Sequence, residues 1–238
     1  MVGGREPARY LDTMTIERDD VIVPTGRHGL PPDVVADHQR ERLFEATVEL
    51  VAKRGYRDTS VDHIVKSARV GYVAFYELYE GKEECFLAAF DRIVDEGAAA
   101  VATAVAEADG WPEEMATGLA CLLDLVVADT RRARIALVEV QAAGPRAYEH
   151  YEKAVDRAAP KLGEGREFSR EAASLSGALE EAILGGILWI VHQRLVKGEL
   201  GDPGSLLEET IRIALSPYLG DEEIERLAAT SRDRLQQS

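Results

Sequence analysis

The segment from Thr59 to Leu78 constrains this chain most, because it holds two helical patterns too short to stand alone. Val61, Ile64, Val65 and Ala68 recur at i, i+3, i+4 and i+7, one apolar face on a helix of about two turns. Thr59 and Ser60 just before them are good N-caps, and Asp62 falls in the first turn. A brief turn through Arg69 and Val70 leads to Gly71, which opens a second short helix through Leu78. Isolated helices of this length are marginal in water, so longer neighbours must brace them. One is predicted after Pro31-Pro32, over Asp33 to Arg54, with an inward stripe of Leu43, Phe44, Thr47, Val48, Leu50 and Val51. Lys53 and Arg54 suit the negative end of its dipole, and Gly55 supplies a left-handed stop. The other starts near Lys82-Glu83 and runs through Phe86, Phe90, Ile93 and Val94 into an alanine-rich tract at 98–108. Two short helices joined by a tight turn and braced in this way are the plan of a helix-turn-helix. Periodicity alone also fits a small bundle that merely contains a short helix pair.

The remainder continues helical. Further helices are predicted between Pro112 and Asp129, over Thr130–Ala143, over Arg146 to about Lys161, over Ser169–Gly198, over Pro203–Leu219, and from Asp221 to near the C-terminus. No hairpin dipeptide sits between alternating apolar runs, so the class is all-α. The expected organisation is an N-terminal extension over 1–32, a three-helix DNA-binding head over 33–84 and a helical body over 85–238. Cys85 and Cys121 lie far apart in apolar patterns and read as buried free thiols of a reducing cytoplasm. The apolar stretch 178–196 is interrupted by Glu180, Glu181, His192 and Arg194, and Arg5, Glu6, Arg9 and Asp12 are unlike a secretory signal. Neither a membrane partner nor export is expected.

A net charge of −15 argues at first against a nucleic-acid partner. Its distribution weakens the objection: residues 1–82 carry 12 Lys/Arg against 14 Asp/Glu, while the rest of the chain holds −13. Charges beyond a Debye length of about 8–10 Å are largely screened, so a near-neutral head can meet DNA despite an acidic body.

The stretch from Gly55 to Glu84 resembles the TetR family of transcriptional regulators. The likeness lies in Thr59-Ser60-Val61, Ile64-Val65, Arg69-Val70-Gly71, Phe75-Tyr76, Tyr79 and Lys82-Glu83-Glu84, and in detail it covers about residues 38–94. It implies that Phe75 and Tyr79 wedge the recognition helix in place, while Tyr76 and Lys82 contact DNA phosphates. Thr59 and Ser60 would cap the first short helix and bond phosphate, though capping alone accounts for them equally well. Gly71, Tyr72, Val73 and Ala74 depart from the usual serine and polar positions. Their apolar character suits thymine methyl groups, and Tyr72 is expected to reach a phosphate or base. Glu77 is unusual before a polyanion and is expected to pair with a cation or face away. The extension carries Thr25-Gly-Arg-His-Gly-Leu30, whose Arg27 and His28 would enter a minor groove as a basic arm, or pack on their own domain.

For the body, the resemblance implies binding of a small-molecule inducer and homodimerisation. Trp111, Leu122, Leu137, Tyr148, Tyr151, Phe168 and Trp189 are candidate pocket walls, although residues of these types more often serve as plain core. Glu139 is a candidate polar anchor in that cavity; a place on the helix's solvent side, or a partner in Arg134 or Arg146, is the alternative. Small residues at Gly177, Ala178, Ala182, Gly185 and Gly186, with Leu206, Ile211, Ile213 and Leu215 beyond, suit a four-helix interface between two copies. No phosphate loop, Gly-x-Gly-x-x-Gly, Cys-x-x-Cys or His-Glu-x-x-His occurs, and the five histidines show no ligand or triad spacing. Neither catalysis, a metal nor a cofactor is expected. The anticipated function is a transcriptional repressor that leaves a palindromic double-stranded operator when an inducer binds. The rival reading is a helical ligand-binding or interaction protein with a degenerate helix-turn-helix.

Overall fold

Pro31 and Pro32 open the first helix, as the sequence predicts. In the computed structural model, which describes residues 31–235, helix α1 spans Pro32–Arg54 and stops at Gly55, whose φ of 86° disfavours any side chain there. The expected arm with Arg27 and His28 lies outside the described residues. Helices α2 (Val61–Ala68), α3 (Tyr72–Leu78) and α4 (Lys82–Ala104) follow. One face of α1 places Leu43 and Ala46 against Ile64, Val65, Phe75 and Cys85. Another directs Phe44, Val48 and Val51 to Phe86, Phe90, Ile135 and Val140. A single helix thus belongs to the core of the head and to its seam with the body.

The body comprises α5 (Trp111–Ala128), α6 (Thr130–Arg134), a π-helical turn (Ile135–Glu139), α7 (Val140–Ala142), α8 (Pro145–Asp156) and α9 (Ala159–Gly163). A 3₁₀ turn (Glu164–Glu167), α10 (Arg170–Ser174), α11 (Leu179–Lys197), α12 (Pro203–Leu215) and α13 (Asp221–Leu235) complete it. No strand occurs among the described residues, and the all-α class stands. Helices α5, α12 and α13 pack against one another, and Leu206, Leu207, Ile211, Leu215, Ile224 and Leu227 are all buried there. Each such side chain contributes about 1.5–3 kcal/mol.

Several expectations need correction. Leu206, Ile211 and Leu215 are internal core, so α12 does not offer them to a second copy. The helix predicted over 146–161 breaks after Asp156, because Pro160 has no N–H to continue the ladder. The helix predicted over 169–198 is interrupted between Ser174 and Leu179. There Arg166 donates to the carbonyls of Ala172, Leu175 and Ser176, at 3.0, 3.1 and 2.7 Å, drawing them out of a helical ladder. Helix α4 ends at Ala104 rather than running on to 108, and α12 ends at Leu215 because Pro217 cannot extend it. Residues 130–143 are helical, but with a π turn in the middle. Cys85 is buried and its thiol is pushed up to about 11 by desolvation, whereas Cys121 is only half-buried.

Candidate nucleic-acid interface

The head is assembled around its loops. In the α1–α2 loop Thr59 is buried, and its hydroxyl donates to the Gly55 carbonyl at 2.9 Å. It therefore faces inward and braces the loop. Ser60 is the N-cap of α2: its Oγ accepts the His63 N–H at 3.3 Å, while His63 Nδ1 accepts the Ser60 N–H at 3.2 Å. Histidine thus closes a capping box usually closed by Glu or Gln.

The α2–α3 turn pivots on Arg69 in the left-handed region, with φ of 51° and ψ of 42°. That conformation costs a non-glycine residue about 1–2 kcal/mol. Arg42 on α1 donates to the Arg69 carbonyl at 2.6 Å and holds the turn.

Helix α3 is anchored by Phe75, which is fully buried, with the half-buried Tyr79 ring 5.8 Å away. These are the wedges that the resemblance implies. On the other side Val73 is 75% exposed, Tyr76 57% and Tyr72 48%, so α3 turns an apolar, aromatic surface outward. Gly71 is exposed with open space around its α-carbon, and Ala74 is half-buried against the head core. The Tyr76 ring rests edge-on against Phe75 at 5.3 Å, leaving its hydroxyl outward.

Tyr72 differs from expectation. Its hydroxyl donates to Asp62 of α2, which also accepts from Lys66 at 2.8 Å. These two hydrogen bonds, the Lys66 one foremost, hold the Asp62 carboxyl below its usual range, and the same carboxylate pushes Tyr72 up. The hydroxyl's one donor is already engaged and would have to leave Asp62 to reach a phosphate. Glu77 is exposed, with no cation in salt-bridge range among the described residues.

Lys82, the first residue of α4, is half-buried. Its ammonium donates to the Tyr56 carbonyl at 2.9 Å and lies 4.0 Å over the Tyr56 ring, and desolvation lowers its pKa. The Tyr56 N–H in turn donates to Glu139 of the body at 2.9 Å. Local periodicity could not announce these contacts, since Tyr56, Lys82 and Glu139 are far apart in sequence.

The eight body candidates are dispersed. Trp111 is core, its Nε1 donating to the Lys161 carbonyl at 2.7 Å. Leu122, Tyr148 and Trp189 are 47%, 50% and 61% exposed, Tyr151 is half-buried beside Tyr148, and Trp189 stacks on His192. Glu139 is buried, but it faces the head and not a cavity. A depression of about 660 Å³ opens between residues 168–171, Leu175 and the corner 216–220, and of the candidates only Phe168 lines it. Among the described residues no cluster of His, Cys, Asp and Glu is placed to hold a metal, and no helix is long and apolar enough to cross a membrane.

Residues 43–89 match the family model of bacterial regulatory proteins, tetR family, a span that contains all of α2 and α3. No curated protein matches the chain. Among solved structures it resembles the fatty acid degradation regulator FadR from Bacillus halodurans, at 18% identity and a TM-score of 0.66, over 77% of this chain and 96% of that one. It is similar to a TetR family transcription regulator from Marinobacter aquaeolei VT8, at 20% identity and 0.59, over 84% and 97%. It is also similar to FadR from Bacillus subtilis in complex with stearoyl-CoA, at 17% identity and 0.63, over 74% and 98%. At these identities the likeness is one of fold: a helix-turn-helix head on a helical body.

Proposed function

We propose that this chain, of the tetR family by its N-terminal domain and TetR-like in its whole fold, is a repressor that binds a palindromic operator as a homodimer and leaves it when a small molecule enters the body. The observation that carries the reading is α3: anchored from behind by Phe75, it presents Val73 and Tyr76 outward within the matched span. A recognition helix must be short, rigidly seated and open on one face to enter a major groove. In this reading Tyr76 and Lys82 bind phosphate, with Ser60 beside them, and Gly71 allows close approach. Val73 and Ala74 meet thymine methyls, because α3 carries no Lys, Arg, Asn or Gln for bidentate base contacts. Two copies would set their α3 helices roughly 34–36 Å apart, or a multiple of that. An inducer acts by binding one of two head spacings better than the other. Stearoyl-CoA, bound by the Bacillus subtilis FadR, is the first ligand to test, by the rise in Tm that binding produces. A cytoplasmic location goes with this function.

Selection of bound duplexes from a random pool tests the proposal. The expected product is a palindrome with thymine at the positions α3 reaches, weakened about evenly across sequences by Tyr76→Ala. Recovery of no sequence, and no duplex binding at low salt, would overturn it. The tethered Tyr72 hydroxyl and the absence of any cation on α3 favour a second reading, a ligand-binding protein with a degenerate head, which that negative result would support.

A further inference from the structure

We propose that Glu139 is a positioning residue for the DNA-facing Lys82, acting across the seam between body and head through the backbone of Tyr56. The inference rests on the DNA-binding reading of Lys82 above. Glu139 is 7% exposed, at the end of the π turn in the body. Its Oε2 accepts the Tyr56 N–H at 2.9 Å, and its Oε1 accepts from Arg134 Nη2 at 3.3 Å. Arg134 Nη1 donates at 2.9 Å to the Leu195 carbonyl, near the C-terminal end of α11. On the far side of the same residue, the Tyr56 carbonyl accepts from Lys82 Nζ at 2.9 Å, and the Tyr56 ring packs edge-on to Phe86 at 4.9 Å. Tyr56 is therefore gripped twice: the body holds its N–H, and its carbonyl holds the ammonium.

An ammonium has three donors. With one fixed on Tyr56, the other two have a defined direction toward a phosphate. If Glu139 lets go, the loop after Gly55 loses its anchor and the lysine loses its seat. The π turn is what brings Glu139 here, since a wider turn re-aims every side chain that follows, and such turns are frequent at functional sites. Stability alone accounts poorly for the arrangement. Arg134 Nε is buried without a hydrogen-bond partner, and an incompletely satisfied buried ion pair is seldom more stable than an apolar replacement.

The experiment measures the affinity of the full chain for a selected duplex across a salt series, with Tm recorded for each variant. Glu139→Ala should weaken binding about tenfold and lower the salt slope by about one, as Lys82→Ala does. The double variant should bind no more weakly than Lys82→Ala alone. Should the alanine variant fail to fold, two conservative changes decide. Glu139→Asp keeps the charge but withdraws the carboxylate by about 1.5 Å, and should lower the slope. Glu139→Gln keeps an acceptor at full reach, and should retain it. A Glu139→Asp protein with the wild-type slope, a Glu139→Gln protein that loses it, or additive losses in the double variant would overturn the proposal, whatever happens to Tm. If the unsubstituted chain binds no duplex, the DNA-binding reading itself falls, a result distinct from all of these.

Discussion

Glu180 shows how one side chain can hold several segments together. It is buried at the start of α11, where Arg166 donates to both its oxygens at 2.7 and 2.9 Å and the Tyr218 hydroxyl donates at 2.9 Å. The Arg166 hydrogen bonds foremost, with Tyr218 adding to them, lower its pKa from 4.5 to about 2. Desolvation and the same carboxylate push the Tyr218 phenol up. Because the folded value lies below the ordinary one, this contribution to stability is complete above about pH 4.5 and fades as pH falls toward 2. Glu180→Gln should therefore lower Tm by several degrees at pH 7, and the gap from the unsubstituted chain should close as pH drops through that window. A gap that stays constant with pH would refute the assignment. Sequence reading gave Glu180 only as an interruption of an apolar stretch, because its partners lie 14 and 38 residues away. Phe75 and Tyr79 are legible from the spacing they share with a family; the pairing of Glu139 with Arg134 is legible too, but its bond to Tyr56, 83 residues away, is not.

At the scale of elements, the head was readable and the body only in outline. Helices α1 to α3 begin and end where capping residues, Gly55 and Gly71 place them, and their apolar faces follow a local period of 3.6. In the body, breaks are set by tertiary demands: Arg166 takes three carbonyls between α10 and α11, and the wide turn at 135–139 has no local sequence signature. The α2 cap falls between these cases. Ser60 was predicted as a cap, but the reciprocal bond from His63 escaped a rule that looks for Glu or Gln. Ser60→Ala should cost about 1 kcal/mol, measurable as a lower urea midpoint with an unchanged m-value. An unaltered midpoint would mean that the cap is not needed to hold α2.

On the scale of the whole molecule, α11 leaves one face open. Added β-carbons at Gly185 and Gly186 would meet nothing, and Trp189 and Val196 are 61% and 52% exposed. With Leu206, Ile211 and Leu215 of α12 in the core, α11 is the face through which we propose that a homodimer forms. Trp189→Glu is then expected to shift sedimentation at micromolar concentration from dimer to monomer, without lowering Tm measured on the monomer. A variant that remains dimeric would remove α11 from the interface. The charge pattern works at the same scale, since most of the −15 lies behind the head and is screened from DNA over a Debye length of about 8–10 Å.

The Tyr72–Asp62 bond has a practical consequence for anyone redesigning operator choice. Helix α3 cannot be transplanted as a cassette, because the orientation of its first ring is dictated by a carboxylate on α2. Swapping α3 into a related scaffold without Asp62 would free that tyrosine to rotate, and with it the alphabet of bases the helix accepts. The transferable unit is the helix pair.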